Sequence, residues 1–384
     1  RLARLGDQLE ISVELVDVRD GSQIWSARYR PQVRELQALE QEISGEIAAR
    51  LIASLAPAER QQVAAGGKTN ADSYRDYLWG RFYLGKRSGG GVEKAIERFE
   101  SAIRSDPGYA LAHANLAEAY ALLSYYAAAP AKEAAPKARA AAQTAIQLDA
   151  QLALGYAVLG YVEADYWWDW EKSERHFRTA LELNPEDAEI RLLYGGRLLL
   201  ARRFAEGAAE YERGLRLDPL SMILNTNVAH VAYFSRDYPK AMAHCRKVIA
   251  LDPAFPNAHA DLGRLLLAAG KPLEAIAELE TAQRLDGGPV NALGRLGYAY
   301  AAAGRRDDAL RLIRQMETQP RVHAMAISLV YIGLGDTLNA LGWLERAVEE
   351  RTPYLASIRV DPLFDPVRAD PRFDALLRRM NLQR

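Results

Sequence analysis

The chain is short of the residues on which reactive chemistry usually depends. Cys245 is the only cysteine in 384 residues, so neither an intrachain disulfide nor a multi-thiolate metal site can form, and either an oxidising or a reducing compartment would suit it. The six histidines (His113, His176, His230, His244, His259, His323) show no His-Glu-x-x-His or comparable ligand spacing. No Gly-x-Ser-x-Gly nucleophile context occurs, so neither catalytic nor metal-ligating residues are assigned and no cofactor is expected. Forty-nine Lys and Arg against 50 Asp and Glu leave a net charge of −1, without the basic excess that argues for direct nucleic-acid binding. No uninterrupted apolar run reaches about 18 residues, so nothing reads as a membrane span, and Arg1-Leu2-Ala3-Arg4 lacks the apolar core of a signal peptide. The first residue is Arg1 rather than Met, and the expectation is a piece of a longer protein.

What the chain does have is a period. Leu183-Asn184-Pro185, Leu217-Asp218-Pro219, Leu251-Asp252-Pro253 and Leu285-Asp286-Gly287 follow one another at intervals of 34, which signals stacked supersecondary units. Small residues recur within each frame: Gly195, Gly207 and Gly214, then Ala229, Ala241 and Val248, then Gly263, Ala275 and Ala282. This pattern resembles the tetratricopeptide repeat, whose 34 positions place small residues at 8, 20 and 27 and proline at 32. The resemblance implies a mainly α protein, an α-solenoid of about eight helix pairs over residues 73–354. Each unit of such a stack packs only on its neighbours, so the length does not demand several globular cores.

The flanks are different. Leu9, Ile11, Val13 and Leu15 alternate with polar residues, Asp20-Gly21 signals a turn, and Gln23 to Tyr29 reads as a returning strand. From Val33 to Leu55 apolar residues recur every three or four positions, predicting an amphipathic helix. With Asp20-Gly21-Ser22-Gln23-Ile24-Trp25-Ser26 and Glu42-Ile43 to Ile47-Ala48, this hairpin plus helix resembles the tail of the TolB-like (FlgO-like) α/β domain of bacterial signalling proteins. Residues 1–56 are assigned to it and 57–72 to a linker. Repeat two carries an insertion around Tyr125 to Pro136, and repeat seven is short, ending near Gln319-Pro320. Residues 355–384 leave the period, and Leu363-Phe364-Asp365-Pro366, Asp370-Pro371 and a helix over Ala375 to Met380 are expected to cap the open end. Val360-Asp361-Pro362 and Trp168-Asp169-Trp170 are again similar to that TolB-like/tetratricopeptide type.

Two features look like chemistry and have plainer readings. Gly67-Lys68-Thr69 would need a glycine where Gln62 stands to make a phosphate loop, and it reads as linker. Ser88 to Gly91 could cradle an anion but suits an inter-helix loop. His113 and His259 fall at position 4 of their frames and read as packing residues, as does Cys245 at position 24.

In the tetratricopeptide frame, positions 2, 5, 9 and 12 face the inner groove. The resemblance places Tyr74, Tyr77, Arg81, Glu118, Tyr161, Thr226, His230, Tyr233, Asn257, Arg264, Asn291 and Tyr298 there, a lining suited to an extended peptide or a partner helix. The chaperone-binding subclass carries Lys and Asn at position 5. Tyr77, Ala114, Ala157, Leu192, Thr226, Ala260 and Gly294 stand there instead, so that clamp is absent. Trp167, Trp168 and Trp170 form an aromatic turn that serves either as a recognition ledge or, by the plainer reading, as packing.

The expected function is a non-enzymatic protein-interaction scaffold, the sensory or regulatory part of a bacterial signalling protein. A small-molecule sensor or enzyme using the groove or aromatic turn is the alternative. Self-association is a further option. The resemblance implies the periplasm, with the cytoplasm as alternative. If the register is right, Ala241→Leu forces bulk between two helices and costs about 1–3 kcal/mol, read as a lowered melting temperature. An unchanged midpoint would contradict it.

Overall fold

The computed structural model describes residues 2–5, 8–16, 23–29, 71–126, 129–285, 291–318 and 323–382. Strands β1 (Leu2–Leu5), β2 (Gln8–Val16) and β3 (Gln23–Tyr29) form an antiparallel sheet in that order. The expected hairpin is β2–β3, with Val13 opposite Ala27 and an irregularity at Leu15/Val16, while β1 was not anticipated. The Asp20-Gly21 turn, the helix expected from Val33 to Leu55 and the linker with Gly67-Lys68-Thr69 lie outside the described residues.

Among the described residues sixteen helices then run in eight pairs. They are α1 (Ala71–Gly85) with α2 (Gly89–Ser105), α3 (Ala110–Tyr126) with α4 (Ala131–Leu148), α5 (Ala153–Val162) with α6 (Trp170–Leu183), and α7 (Ala188–Leu200) with α8 (Phe204–Leu217). The others are α9 (Met222–Phe234) with α10 (Tyr238–Leu251), α11 (Pro256–Ala268) with α12 (Pro272–Arg284), α13 (Asn291–Ala302) with α14 (Arg306–Glu317), and α15 (Ala324–Gly333) with α16 (Thr337–Glu350).

The recurrent Asx-Pro phrase works as a stop. Asp106, Asn184, Asp218 and Asp252 are helix C-caps in extended conformation, each N–H still donating to the carbonyl four residues back. The following proline has no N–H with which to continue the helix. The Asx side chain then accepts from the amide two residues on, as in Asp106 from Gly108 and Asp252 from Ala254. Asp149, which precedes Ala150 instead of proline, does the same with Gln151. One further bond per frame anchors the next helix to this stop: His113 Nε2 to the Pro107 carbonyl, Asn225 Nδ2 to Pro219 and His259 Nε2 to Pro253, each at 3.0 Å. The two histidines are therefore structural, through a polar contact as well as packing.

Between the two helices of a pair, from the third pair on, the stop is of another kind. Trp168, Arg202, Arg236, Gly270, Gly304 and Gly335 all adopt positive φ. The residue after each donates its N–H to the carbonyl five residues back, or six after Trp168, a left-handed helix end. The spacing is 34 until the last interval, which is 31, in agreement with a short seventh repeat. Ser88 caps α2, its Oγ accepting from Gly91 N, so the glycine loop there is an ordinary helix start.

Between the helices of a pair, a small residue meets a large one. A Cβ on Gly195 would lie 2.6 Å from the Tyr211 ring, and one on Gly263 would lie 2.5 Å from Leu279. Ala229, Ala241 and Cys245 are wholly buried in the same register, so the thiol behaves as a small apolar side chain. The seventh pair departs from this pattern, because α15 packs closely on α13 where Gly294 and Gly297 sit. A Cβ at Gly294 would lie 2.5 Å from the Ala326 backbone.

The chain ends in two 3-10 segments, Leu355–Arg359 and Pro362–Val367, and a helix α17 (Pro371–Arg379). Helix α17 packs on α16, as a cap should. The segments before it do more than cap, since they run back along the inner face of the stack and bury Leu355, Ile358, Leu363 and Phe364 there.

Gly294→Ala is predicted to cost about 1–3 kcal/mol by overpacking. Gly342→Ala, on the exposed face of α16 with nothing within 4 Å, should gain about 0.5–1 kcal/mol. Urea unfolding of the two variants tests the pair, and equal midpoints would contradict this packing.

Candidate functional site

The inner face is built by the first helix of each pair, because those helices lie side by side along the stack. An open trough was the expectation, and over much of its length the trough is closed. Tyr233 donates its hydroxyl to Asp361, 128 residues further on, and Arg264 stacks its guanidinium 4.3 Å over the Tyr233 ring with Nη1 3.9 Å from the same carboxylate. Arg236, at its left-handed turn, pairs with Asp365 at 2.7 Å. Arg351 donates to the Tyr166 carbonyl and lies 4.3 Å over the Trp168 ring. Asn381 Nδ2 donates to the Trp168 carbonyl, and Trp170 Nε1 donates to that of Met380. The aromatic turn is thus a dock for the protein's own C-terminal residues. Trp168 is buried, while Trp167 and Trp170 are half-buried, Trp167 beneath Arg139.

The other end of the stack also reaches inward. Arg87, in the α1–α2 turn, pairs with Glu189 at 2.7 Å and Glu118 at 3.3 Å, and its carbonyl accepts from Asn257 Nδ2 at 3.5 Å across 170 residues. Burial and then Glu189 push the Glu118 carboxyl up, whereas at Glu189 burial is opposed and overcome by Arg87 and Arg81 together with the hydrogen bonds it accepts, so the two acids titrate as a pair. Arg197 pairs with Asp165 and covers the ring of Tyr161.

A second hub lies at Asp261. His230 Nε2 is 2.8 Å from its Oδ2, Arg264 Nη2 3.1 Å and Arg295 Nη1 3.5 Å from its Oδ1. Burial opposes ionisation of Asp261, yet these three partners hold its carboxyl well below the usual range. Such a buried cluster stays ionised only while each charge keeps its partners.

Of the residues assigned to the groove, Glu118, Tyr161, Thr226, Tyr233, Asn257 and Arg264 are buried within these contacts. His230 and Tyr298 are half-buried, and the side chain of Asn291 lies outside the described part. Thr226 Oγ1 is satisfied by its own helix, through the Met222 carbonyl. Tyr74, Tyr77 and Arg81 lie at the other end: Tyr77 packs on Tyr109 and Phe99, and Arg81 bonds Asn115. The sequence reading missed Asp361, Asp365, Arg87 and Arg351. A signal existed, since the turn position that is glycine in repeats six to eight is Trp168, Arg202 and Arg236 in repeats three to five. Among the described residues no cluster of His, Cys, Asp and Glu could hold a metal ion, and no helix is long and apolar enough to cross a membrane.

The hub has a pH signature. Burial, helped by Arg264 and Arg295, lowers the His230 pKa below its usual 6.5 in spite of Asp261. The unfolded chain then binds more protons than the folded one as pH falls through 6.5, so this contribution to stability is full above 6.5 and is lost on acidification. Melting temperatures of wild type and His230→Gln between pH 7.5 and 5 should converge as pH falls. A constant difference would refute the assignment.

Tetratricopeptide repeat family models match residues 235–287 and, in two overlapping stretches, 169–221 and 196–259. Anaphase-promoting complex subunit 3 of Schizosaccharomyces pombe is 25% identical over 117 residues, covering 30% of this chain, and the match spans only 18% of that protein. Among solved structures, the Cut9-Hcn1 hetero-tetramer of the anaphase-promoting complex has a TM-score of 0.54 at 13% identity, covering 76% of this chain and 55% of that one. Human IFIT1, solved as a dimer with PPP-AAAA, has a TM-score of 0.50 at 18% identity, with 72% of each chain covered. At these identities the likeness speaks for the fold alone. Proteins of this kind are generally scaffolds for protein–protein interaction. With the 34-residue period, its left-handed and Asx-Pro stops and the family models agreeing, residues 169–287 are tetratricopeptide repeats, set in a solenoid of that fold.

Proposed function

We propose that the chain is a non-catalytic interaction module, the regulatory part of a bacterial signalling protein, which receives an extended polypeptide on the inner face of its solenoid. The observation that carries this reading is that the inner face already holds one: residues 354–382 lie there through Tyr233, Arg236, Arg264 and the carbonyls of the aromatic turn. Aromatic rings and arginines with fixed partners are the groups that dominate polypeptide recognition. The TolB-like character of residues 9–29 supports the signalling context.

At the other end of the inner face, Tyr74, Tyr77 and the exposed Arg81 offer stacked rings beside a cation. A partner segment with an aromatic or aliphatic anchor next to a carboxylate fits that end. A phage-displayed peptide library panned against the full chain tests the reading without knowing the partner. Selected peptides should lose tenfold or more in affinity to Tyr74→Ala combined with Arg81→Ala, at unchanged helicity. Peptides that bind the double variant as well as wild type would remove this end of the groove from the function, and a library yielding no binder would remove polypeptide recognition altogether.

A further inference from the structure

Arg202 sits in the turn between α7 and α8 with φ of 66°, a conformation that glycine takes at the same place in later repeats. An arginine there stores strain. Its neighbour in the series, Arg236, uses the position to reach Asp365. Arg202 has no acidic partner among the described residues, and its side chain borders a cleft of about 400 Å³ lined also by Arg359, Asp365, Arg368, Ala369 and Leu377.

The cleft is electrostatically incomplete. Arg359 likewise has no acidic partner among the described residues, and its Nε is buried without an acceptor. Burial, and after it the charge of Arg202, lower the Arg359 pKa. The remaining charges are committed elsewhere. Arg368 donates from Nε to Asp365 at 3.1 Å, and to the carbonyls of Arg359 and Asp361 at 2.6 and 3.1 Å. Asp365, the one carboxylate in the wall, is shared between Arg368 and Arg236. Two guanidinium groups with unused donors therefore border one space, and the single carboxylate in its wall is already engaged by two other arginines.

We propose that this cleft binds a phosphate monoester, a small organic molecule whose dianionic phosphate is held between Arg202 and Arg359 with its organic part beside Ala369 and Leu377. Two planar forks carrying one positive charge each match the charge and the several acceptor oxygens of a phosphate dianion, where a carboxylate would neutralise only one. The volume lies within the range of small-molecule sites. Because Arg202 belongs to the repeats and Arg359 to the C-terminal segment, the ligand would tie that segment to the inner face.

The test is calorimetry and thermal melting of the full chain with phenyl phosphate, inorganic phosphate and benzoate in low-chloride buffer. Phenyl phosphate should raise the melting midpoint, inorganic phosphate should bind more weakly, and benzoate should bind at least tenfold more weakly than phenyl phosphate. Arg202→Gly suits the left-handed turn, so it should melt at or above the wild-type midpoint without ligand yet lose at least tenfold in phenyl phosphate affinity; Arg359→Gln should lose a similar factor. Binding by Arg202→Gly within twofold of wild type would overturn the proposal. So would equal affinity for benzoate, or no binding of phenyl phosphate at millimolar concentration.

Discussion

The close approach of two helices at a side chain no larger than alanine sets everything else in this molecule. Gly195 against Tyr211 and Gly263 against Leu279 bring the partners so near that a single methyl would collide. That distance, repeated every 34 residues, fixes how one pair leans on the next and hence the curvature of the stack. Curvature in turn produces an inner face, and an inner face lined with charge has to be either wet or filled.

Here it is filled. From one end the α1–α2 turn sends Arg87 to Glu118, Glu189 and the neighbourhood of Asn257. From the other the C-terminal segment brings Asp361 and Asp365 to Tyr233, Arg264 and Arg236. The ionised groups of the interior are compensated by partners far away in sequence. Such networks contribute little net stability but penalise any arrangement that separates their members, so they hold the two ends of the solenoid in one relative position.

Much of this architecture was legible in the sequence because its causes are local. Asp252-Pro253 stops a helix using atoms within a few residues, and the short seventh repeat shows in the spacing of Gly304 and Gly335. The hairpin β2–β3 was readable from alternation, while β1 (Leu2–Leu5), four residues long, carried too little pattern. The residues assigned to the groove lie on the first helices of their pairs, yet their surroundings were not foreseen. Tyr233 gives no hint in its own frame that its hydroxyl meets a carboxylate 128 positions later. The substitution of Arg202 and Arg236 for a turn glycine was visible, but its meaning required knowing that another part of the chain lies opposite.

The tethering of residues 354–382 to the last helix pair bears on every measurement of affinity. A segment joined covalently to its own receptor competes at an effective concentration on the order of millimolar. A polypeptide arriving in trans for the same stretch of the inner face meets a receptor that is free only a fraction of the time, and its apparent dissociation constant is the intrinsic one divided by that fraction. Loosening the latch at Asp361, with the trough itself untouched, would thus read in a titration as tighter binding.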